Sequence, residues 1–179
     1  MSSCIDFGRQ RTNAYLNIPG IKMTVVGAAI QLQPGASLEE NLETARDLVV
    51  SAAARGANLI VLPEFFSAPF VSGNVDFNYF RWAERLDGPT NSLVASLSRD
   101  TSTTIISSFF EATQVEGIYY NCSVTFHHGE VIAVYRKSHL PFSNDFPEKF
   151  YFRPGDASPS AQWCGSVKVG TIICYERHF

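Results

Sequence analysis

The 179-residue chain has no run approaching the roughly 20 apolar residues needed to cross a bilayer. It also lacks an excess of positive charge: 14 Lys and Arg stand against 17 Asp and Glu, a formal net charge of −3. With no basic stripe it does not read as a nucleic-acid binder, and with no lysine-rich amphipathic face it does not read as a membrane-surface protein. Residues 1–22, with Ser2, Ser3, Arg9, Arg11, Asn13 and Pro19, lack the apolar core of a signal peptide. They read as a poorly ordered lead-in to one domain over residues 23–179. Cysteine is sparse, at Cys4, Cys122, Cys164 and Cys174, and its spacing fits neither a zinc site nor a dense disulfide framework. The four histidines add no paired ligand spacing, so the expectation is no metal, no cofactor, reduced thiols and a cytoplasmic setting.

What the chain does have is apolar segments in an alternating order of strand and helix. Residues 23–33 form a short apolar run closed by Pro34-Gly35, which suits a buried strand. Ser37 and Glu40 make a capping box, Leu38, Leu42, Ala45, Val49 and Ala52 recur at helical spacing, and Gly56 offers a stop. Residues 58–62 read as a second strand, so the opening is strand–helix–strand with parallel strands. Residues 65–89 are aromatic and punctuated by Gly and Pro. They read as a long loop with some helix near residues 79–86. A helix entered near Pro89 carries Leu93, Val94 and Leu97. Strands follow at 103–111, 118–127 and 131–136, the last two joined by a hairpin through His127-His128-Gly129-Glu130. Residues 138–160 carry four prolines and read as loop, with Cys164 in a loop beyond it; residues 167–173 read as the last strand. The fold class is therefore α/β.

Three chemically active residues close apolar runs. Glu64 ends 58–64, Lys137 ends 131–137 and Cys174 ends 167–174. If those strands lie side by side, a thiol, a carboxylate and an ammonium meet at one sheet edge. That is a nucleophile, a base and a partner for an oxyanion. A free thiol of pKa about 8.5 is only about 3% thiolate at neutral pH, so Cys174 needs a neighbouring base or cation. Glu64 suits the base. Lys137, helped by the backbone N–H of Tyr175, suits the developing negative oxygen. The competing reading of each residue alone is structural: a core cysteine, a loop-capping glutamate, a solvated lysine. Cys122, within a strand pattern, reads as core.

Leu62-Pro63-Glu64-Phe65, Tyr135-Arg136-Lys137-Ser138-His139-Leu140-Pro141 and Ile173-Cys174-Tyr175-Glu176-Arg177 resemble, in order and context, the three signature segments of the carbon–nitrogen hydrolase (nitrilase) superfamily. The resemblance covers residues 23–179. It implies part of a four-layer α-β-β-α sandwich, a homo-oligomer (dimer or higher), and a Glu64–Lys137–Cys174 triad acting on a small-molecule substrate without a cofactor. It also implies that the domain's later part is absent, because a strand ending at Cys174 would lead into a helix returning over the sheet. Glu148, in Glu148-Lys-Phe-Tyr-Phe-Arg-Pro-Gly-Asp156, resembles a second glutamate of the N-carbamoyl amidohydrolase branch and would contact the lysine and the scissile group. In the carbamoylase members a histidine at the place of His139 supports the catalytic carboxylates.

Arg177 matches an arginine that grips a substrate carboxylate, a task for which guanidinium is suited. His178 departs from the paired arginines of the D-amino-acid carbamoylases, and Tyr175-Glu-Arg-His178 looks closer to β-ureidopropionase-like members. The expected reaction is hydrolysis of an N-carbamoyl amino acid or amine through a thioester-type intermediate, releasing ammonia. The alternatives are an aliphatic amidase, a nitrilase, or a non-catalytic interaction fragment. Phe65, Phe66, Phe70, Tyr79 and Phe142 are candidates for pocket walls, with packing as the competing reading.

Overall fold

The computed structural model describes residues 24–70 and 75–179; the expected lead-in over 1–22 lies outside them. The central sheet has five strands in the order β1-β2-β3-β4-β5: Gly27–Ala29, Leu59–Val61, Thr104–Ala112, Tyr119–His127 and Glu130–Arg136. β1, β2 and β3 run parallel, and β4 and β5 follow as antiparallel neighbours. β5 therefore runs in the direction of β2 and β3. The carboxyl ends of β2, β3 and β5 and the amino end of β4 all reach the same edge of the sheet.

The expected helix is α1, Leu38–Ala54. The Ser37 side chain accepts from the Glu40 amide at 3.2 Å, a cap whose loss costs about 1 kcal/mol. Gly56 ends the helix at φ 89°, with its own amide on the Ala53 carbonyl and that of Ala57 on the Ala52 carbonyl. This paired closure requires a left-handed residue, and glycine adopts that conformation without steric cost. Helix α2, Pro89–Asp100, starts on its proline as expected. Thr90 in its first turn donates both its amide and its hydroxyl to the Glu84 carboxylate. The β4–β5 hairpin turns through His128 and Gly129, both with positive φ, the geometry that follows the twist of its strands.

The faces of the sheet differ. Ala45 and Val49 of α1, and Leu93, Val94 and Leu97 of α2, pack on Ile60, Ile105, Phe109, Cys122, Val124 and Phe126 in one hydrophobic core. Each large aromatic or aliphatic side chain buried there is worth about 1.5–3 kcal/mol. Phe110 of β3 points the other way. It joins Phe65, Tyr79, Leu140, Tyr151 and Phe152 in a second, aromatic cluster. Residues paired across antiparallel strands share a face. Asn121, opposite Phe110, therefore belongs to this second face.

Several expectations need correction. The first strand spans only Gly27–Ala29 rather than the whole of 23–33. The helical turn in the aromatic stretch is a 3₁₀ segment, Phe77–Trp82, after which Glu84 bridges to Glu111 of β3. Residues 138–160 contain one short helix, α3, Glu148–Tyr151. The run 167–173 is not a strand of the central sheet. Its first part, β7 (Val167–Val169), pairs with β6 (Gln162–Cys164) as a separate hairpin turned at Gly165, so Cys164 lies in a strand. A local partner across a two-residue turn closes with less loss of chain entropy than a distant strand. The three candidate residues thus do not close neighbouring strands: β3 and β4 separate β2 from β5, and residues 170–173 are irregular.

Candidate active site

Glu64 follows β2 by three residues and turns on Phe65, whose φ of 53° is left-handed. Phe65 is fully buried and stacks on Phe152 with ring centres 5.5 Å apart, which holds this turn against the aromatic face. Lys137 is the first residue past β5. Its amide donates to the Asn121 carbonyl at 2.9 Å, and its carbonyl accepts from the Gly155 amide at 2.8 Å. A side chain at 155 would run into the backbone of Arg136, so this close approach depends on glycine. Glu148 opens α3.

These elements bring one ammonium to two carboxylates. Lys137 Nζ donates to Glu148 Oε1 and Oε2 at 2.8 and 2.9 Å and to Glu64 Oε1 at 3.0 Å. Lys137 and Glu148 are both wholly buried, and the Glu64 side chain is 16% exposed. Burial alone would draw the Lys137 ammonium down, but Glu64 and Glu148 hold it above the ordinary lysine value. Glu148 is held above the usual carboxylate range by burial; Lys137 pulls it back only in part, and Glu64 adds a second negative charge. One ammonium cannot neutralise two carboxylates, so the cluster carries a net negative charge when both are ionised.

Cys174 is exposed and sits at φ 49°, at the start of a 3₁₀ turn over Cys174–His178. A left-handed residue with a β-carbon costs about 1–2 kcal/mol, and such strain gathers at functional turns. Its thiol is pushed up from its ordinary value, first by burial and then by the Glu64 carboxylate, against the opposite pull of Lys137. The structure thus brings Glu64, Lys137, Glu148 and Cys174 within electrostatic reach of one another. This direction favours the neutral thiol over the thiolate that a neighbouring cation alone would enrich.

Two residues of the site were missed in the sequence. Glu176 accepts from the Ile173 amide at 2.8 Å, the Ser138 amide and hydroxyl at 2.8 and 2.9 Å, the His139 amide at 3.2 Å and the Tyr135 hydroxyl at 2.6 Å. Burial works against its charge, but these donors bring the carboxyl below its ordinary value. It clamps the Cys174 turn to the segment just after Lys137. Asn121 is buried among the carboxylates. Both are polar residues next to apolar patterns, and apart from the Ile173 amide on Glu176 their partners are distant in sequence, so local spacing gave little signal.

His139 stacks on Phe179, ring centres 4.0 Å apart, and its Nδ1 lies 3.0 Å from the Ser138 hydroxyl and 3.8 Å from Glu176. The carboxylate it faces is Glu176 rather than Glu64 or Glu148. Tyr175 is partly exposed and, with His139, Leu140, Lys149, Phe152 and Phe179, lines a cleft of about 600 Å³, whose wall includes the chain neighbours of Lys137, Glu148 and Cys174. Arg177 is exposed. Of the proposed wall aromatics, Phe65, Phe66 and Tyr79 are buried packing residues, whereas Phe70 and Phe142 are exposed. Among the described residues no group of three or more His, Cys, Asp and Glu is arranged to hold a metal ion, and no helix is long and apolar enough to cross a membrane.

The architecture is an α/β fold of the nitrilase type. It superposes on the crystal structure of a carbon–nitrogen hydrolase from Helicobacter pylori G27 with a TM-score of 0.79 and 27% identity, covering 85% of this chain and 53% of that one. The carbon-nitrogen hydrolase pattern matches residues 27–179, and the chain belongs to that family. Similar proteins include the N-carbamoylputrescine amidase of Arabidopsis thaliana, 29% identical over 89% of this chain and 54% of that protein. An omega-amidase of Mus musculus is 32% identical over 85% of this chain and 55% of its own length. The chain spans about half the length of these relatives.

Proposed function

We propose that Cys174, Glu64, Lys137 and Glu148 form the active site of a cysteine-dependent hydrolase of non-peptide C–N bonds, acting on an N-carbamoyl amine or amino acid. One observation carries this reading: a wholly buried ammonium held by two carboxylates, with a strained, exposed thiol electrostatically coupled to one of them. Glu64 takes the proton as the Cys174 sulfur bonds to the carbonyl carbon. The carbonyl oxygen becomes negative against the Lys137 ammonium and the Tyr175 amide. Collapse breaks the C–N bond, and the amine leaves with the proton from Glu64. The carbamoyl thioester that remains is attacked by water, which gives its proton to Glu64. The thiol is restored, and carbamic acid is released and decomposes to ammonia and carbon dioxide.

Glu148 holds Lys137 in place and charged. Arg177 and Tyr175 lie on the exposed turn, where the guanidinium suits a substrate carboxylate and selects carbamoyl amino acids over carbamoyl amines. His139 supports the turn through Ser138 and Glu176. A reducing, cytoplasmic setting suits the free thiols of Cys122, Cys164 and Cys174 among the described residues, and assembly as a homo-oligomer is part of this reading. The second reading is an aliphatic amidase, favoured by the similarity to the omega-amidase.

The test is ammonia release by the purified protein from a panel of N-carbamoyl amines, N-carbamoyl amino acids, aliphatic amides and nitriles. Carbamoyl compounds are expected to react fastest, and Cys174→Ala to abolish the reaction. Turnover of amides alone would move the assignment to the second reading. Turnover that survives Cys174→Ala would remove the mechanism.

A further inference from the structure

Asn121 stands at the start of β4, is fully buried, and touches three of the proposed site's residues. Its backbone carbonyl accepts from the Lys137 amide. Its side-chain Nδ2 donates to Glu64 Oε1 at 2.6 Å and approaches Glu148 Oε2 at 3.4 Å. Both neighbours are acceptors, so the amide has to present its nitrogen to them. Its Oδ1 is then left buried with no hydrogen-bond partner among the described residues. An unpaired buried carbonyl lowers stability, and an apolar side chain of similar size would avoid that loss. The choice of asparagine therefore serves the carboxylates rather than the sheet.

Two carboxylates on one ammonium tend to share a proton, because their like charges oppose joint ionisation. A proton trapped between Glu64 and Glu148 would neutralise the carboxylate that has to accept one from the thiol. Lys137 by itself cannot prevent this. Asn121 adds the uncharged donor that the cluster otherwise lacks, and it does so from the same strand residue that fixes the Lys137 backbone.

We propose that Asn121 is a positioning residue for the reaction: by donating to both carboxylates it keeps them as separate acceptors around Lys137, leaving Glu64 free to take the Cys174 proton while Glu148 stays on the lysine. This rests on the reading of Glu64 as the base. A role confined to strand packing would predict loss of stability with no change in the pH dependence of the surviving activity.

The experiment compares the purified protein with Asn121→Asp, which keeps the shape but replaces the donor by a third carboxylate, and with Asn121→Ala and Asn121→Ser. Two profiles are measured against pH: kcat/KM on the best carbamoyl substrate, and the rate of Cys174 alkylation by iodoacetamide. In Asn121→Ala, kcat is expected to fall about 10²-fold with little change in KM. The acid limb of both profiles is expected to move up by about one pH unit, and further in Asn121→Asp. Asn121→Ser, with a shorter hydroxyl donor, falls between wild type and alanine. Folded variants whose acid limbs coincide with wild type overturn the proposal, as does failure of all three to fold, which would make the residue structural. If wild type hydrolyses nothing on the panel but the alkylation profiles still move, the proposed reaction fails and the role of Asn121 stands.

Discussion

Around Lys137, four buried or nearly buried groups from four separate elements bond to one another inside the protein: the lysine after β5, Glu64 after β2, Glu148 on α3 and Asn121 on β4. Around Cys174 the chain is exposed and irregular, and a single carboxylate, Glu176, gathers the bonds that tie it down. The difference has a physical cause. Charged groups can stay buried only when their partners are fixed, so the lysine–carboxylate cluster has to be built into the sheet edge. A nucleophile that forms and breaks a bond to substrate needs access instead, and in the proposed mechanism the strained, exposed Cys174 turn would supply it. Substitutions in the two regions should therefore fail in different ways.

The largest effect is expected from Lys137→Met. It leaves two buried carboxylates facing each other, and breaking such a pair costs about 3–5 kcal/mol. Activity and thermal stability should fall together. Cys174→Ala should remove activity as completely while leaving the melting temperature within a few degrees of wild type. Calorimetry on the two variants tests the contrast directly. If Lys137→Met melts with wild type, the buried cluster does not hold the fold at this edge. The lysine also sets an alkaline limit. Its value is raised on folding, so its contribution is complete below the unfolded value of about 10.4 and is lost as pH rises through the folded one.

Glu176→Gln comes next. It keeps the shape but weakens the charge-assisted bonds to Ile173, Ser138, His139 and Tyr135. A loss of about 1–3 kcal/mol is expected, confined to the turn. The kcat should drop roughly tenfold to a hundredfold, as expected when a reacting group is misplaced by about 1 Å. Acid should act on the wild type in the same way. The carboxyl is lowered on folding, so its contribution is present above the unfolded value of about 4.3 and lost as pH falls through the folded one. Amide exchange at Ile173 and Ser138 should rise on acidification before that of β3 and β4. Uniform exchange across all of these sites would mean that the turn is not a separately held unit.

Gly155→Ala should have a smaller effect on catalysis. The new β-carbon meets the Arg136 backbone, and relief requires moving the strand that sets Lys137. Destabilisation of about 1–3 kcal/mol is expected, with a severalfold loss of kcat. A wild-type kcat in a destabilised variant would show that Lys137 is positioned by its carboxylates rather than by its backbone.

The same two regions divide what could be read from the sequence. Glu64, Lys137 and Cys174 stood out because each ends an apolar run, a local pattern. That they come together was legible as well, but the expected route was wrong. Two strands, β3 and β4, lie between β2 and β5, and the Val167–Val169 segment pairs with Gln162–Cys164 instead of joining the main sheet. A three-residue strand has too few positions to show alternation, so β6 left no sign. Asn121 and Glu176 were missed for another reason. Asn121 lies 57 residues from Glu64 and 27 from Glu148, and Glu176 lies 38 from Ser138. Apart from the local Ile173 bond of Glu176, their roles come from what the fold places beside them, which local spacing does not contain.

The smallest effect on the protein, and the sharpest on substrate choice, is expected from Arg177→Ala. Arg177 is exposed on the Cys174 turn and buries no surface that the fold requires, so stability should not change measurably. If the guanidinium binds a substrate carboxylate, its loss should raise KM for N-carbamoyl amino acids by about tenfold to a hundredfold, the range of a charge-assisted hydrogen bond. The KM for uncharged or cationic carbamoyl amines should stay the same or fall, because the repulsive positive charge is gone. Equal rises for both classes would mean that Arg177 supports the turn rather than reads the substrate. No change for either would place substrate selection elsewhere, with the cleft lined by His139, Lys149 and Tyr175 as the next surface to probe. The comparison of the two substrate classes matters more than the size of either change. A packing role for the residue cannot produce opposite signs on two substrates that share the same scissile bond.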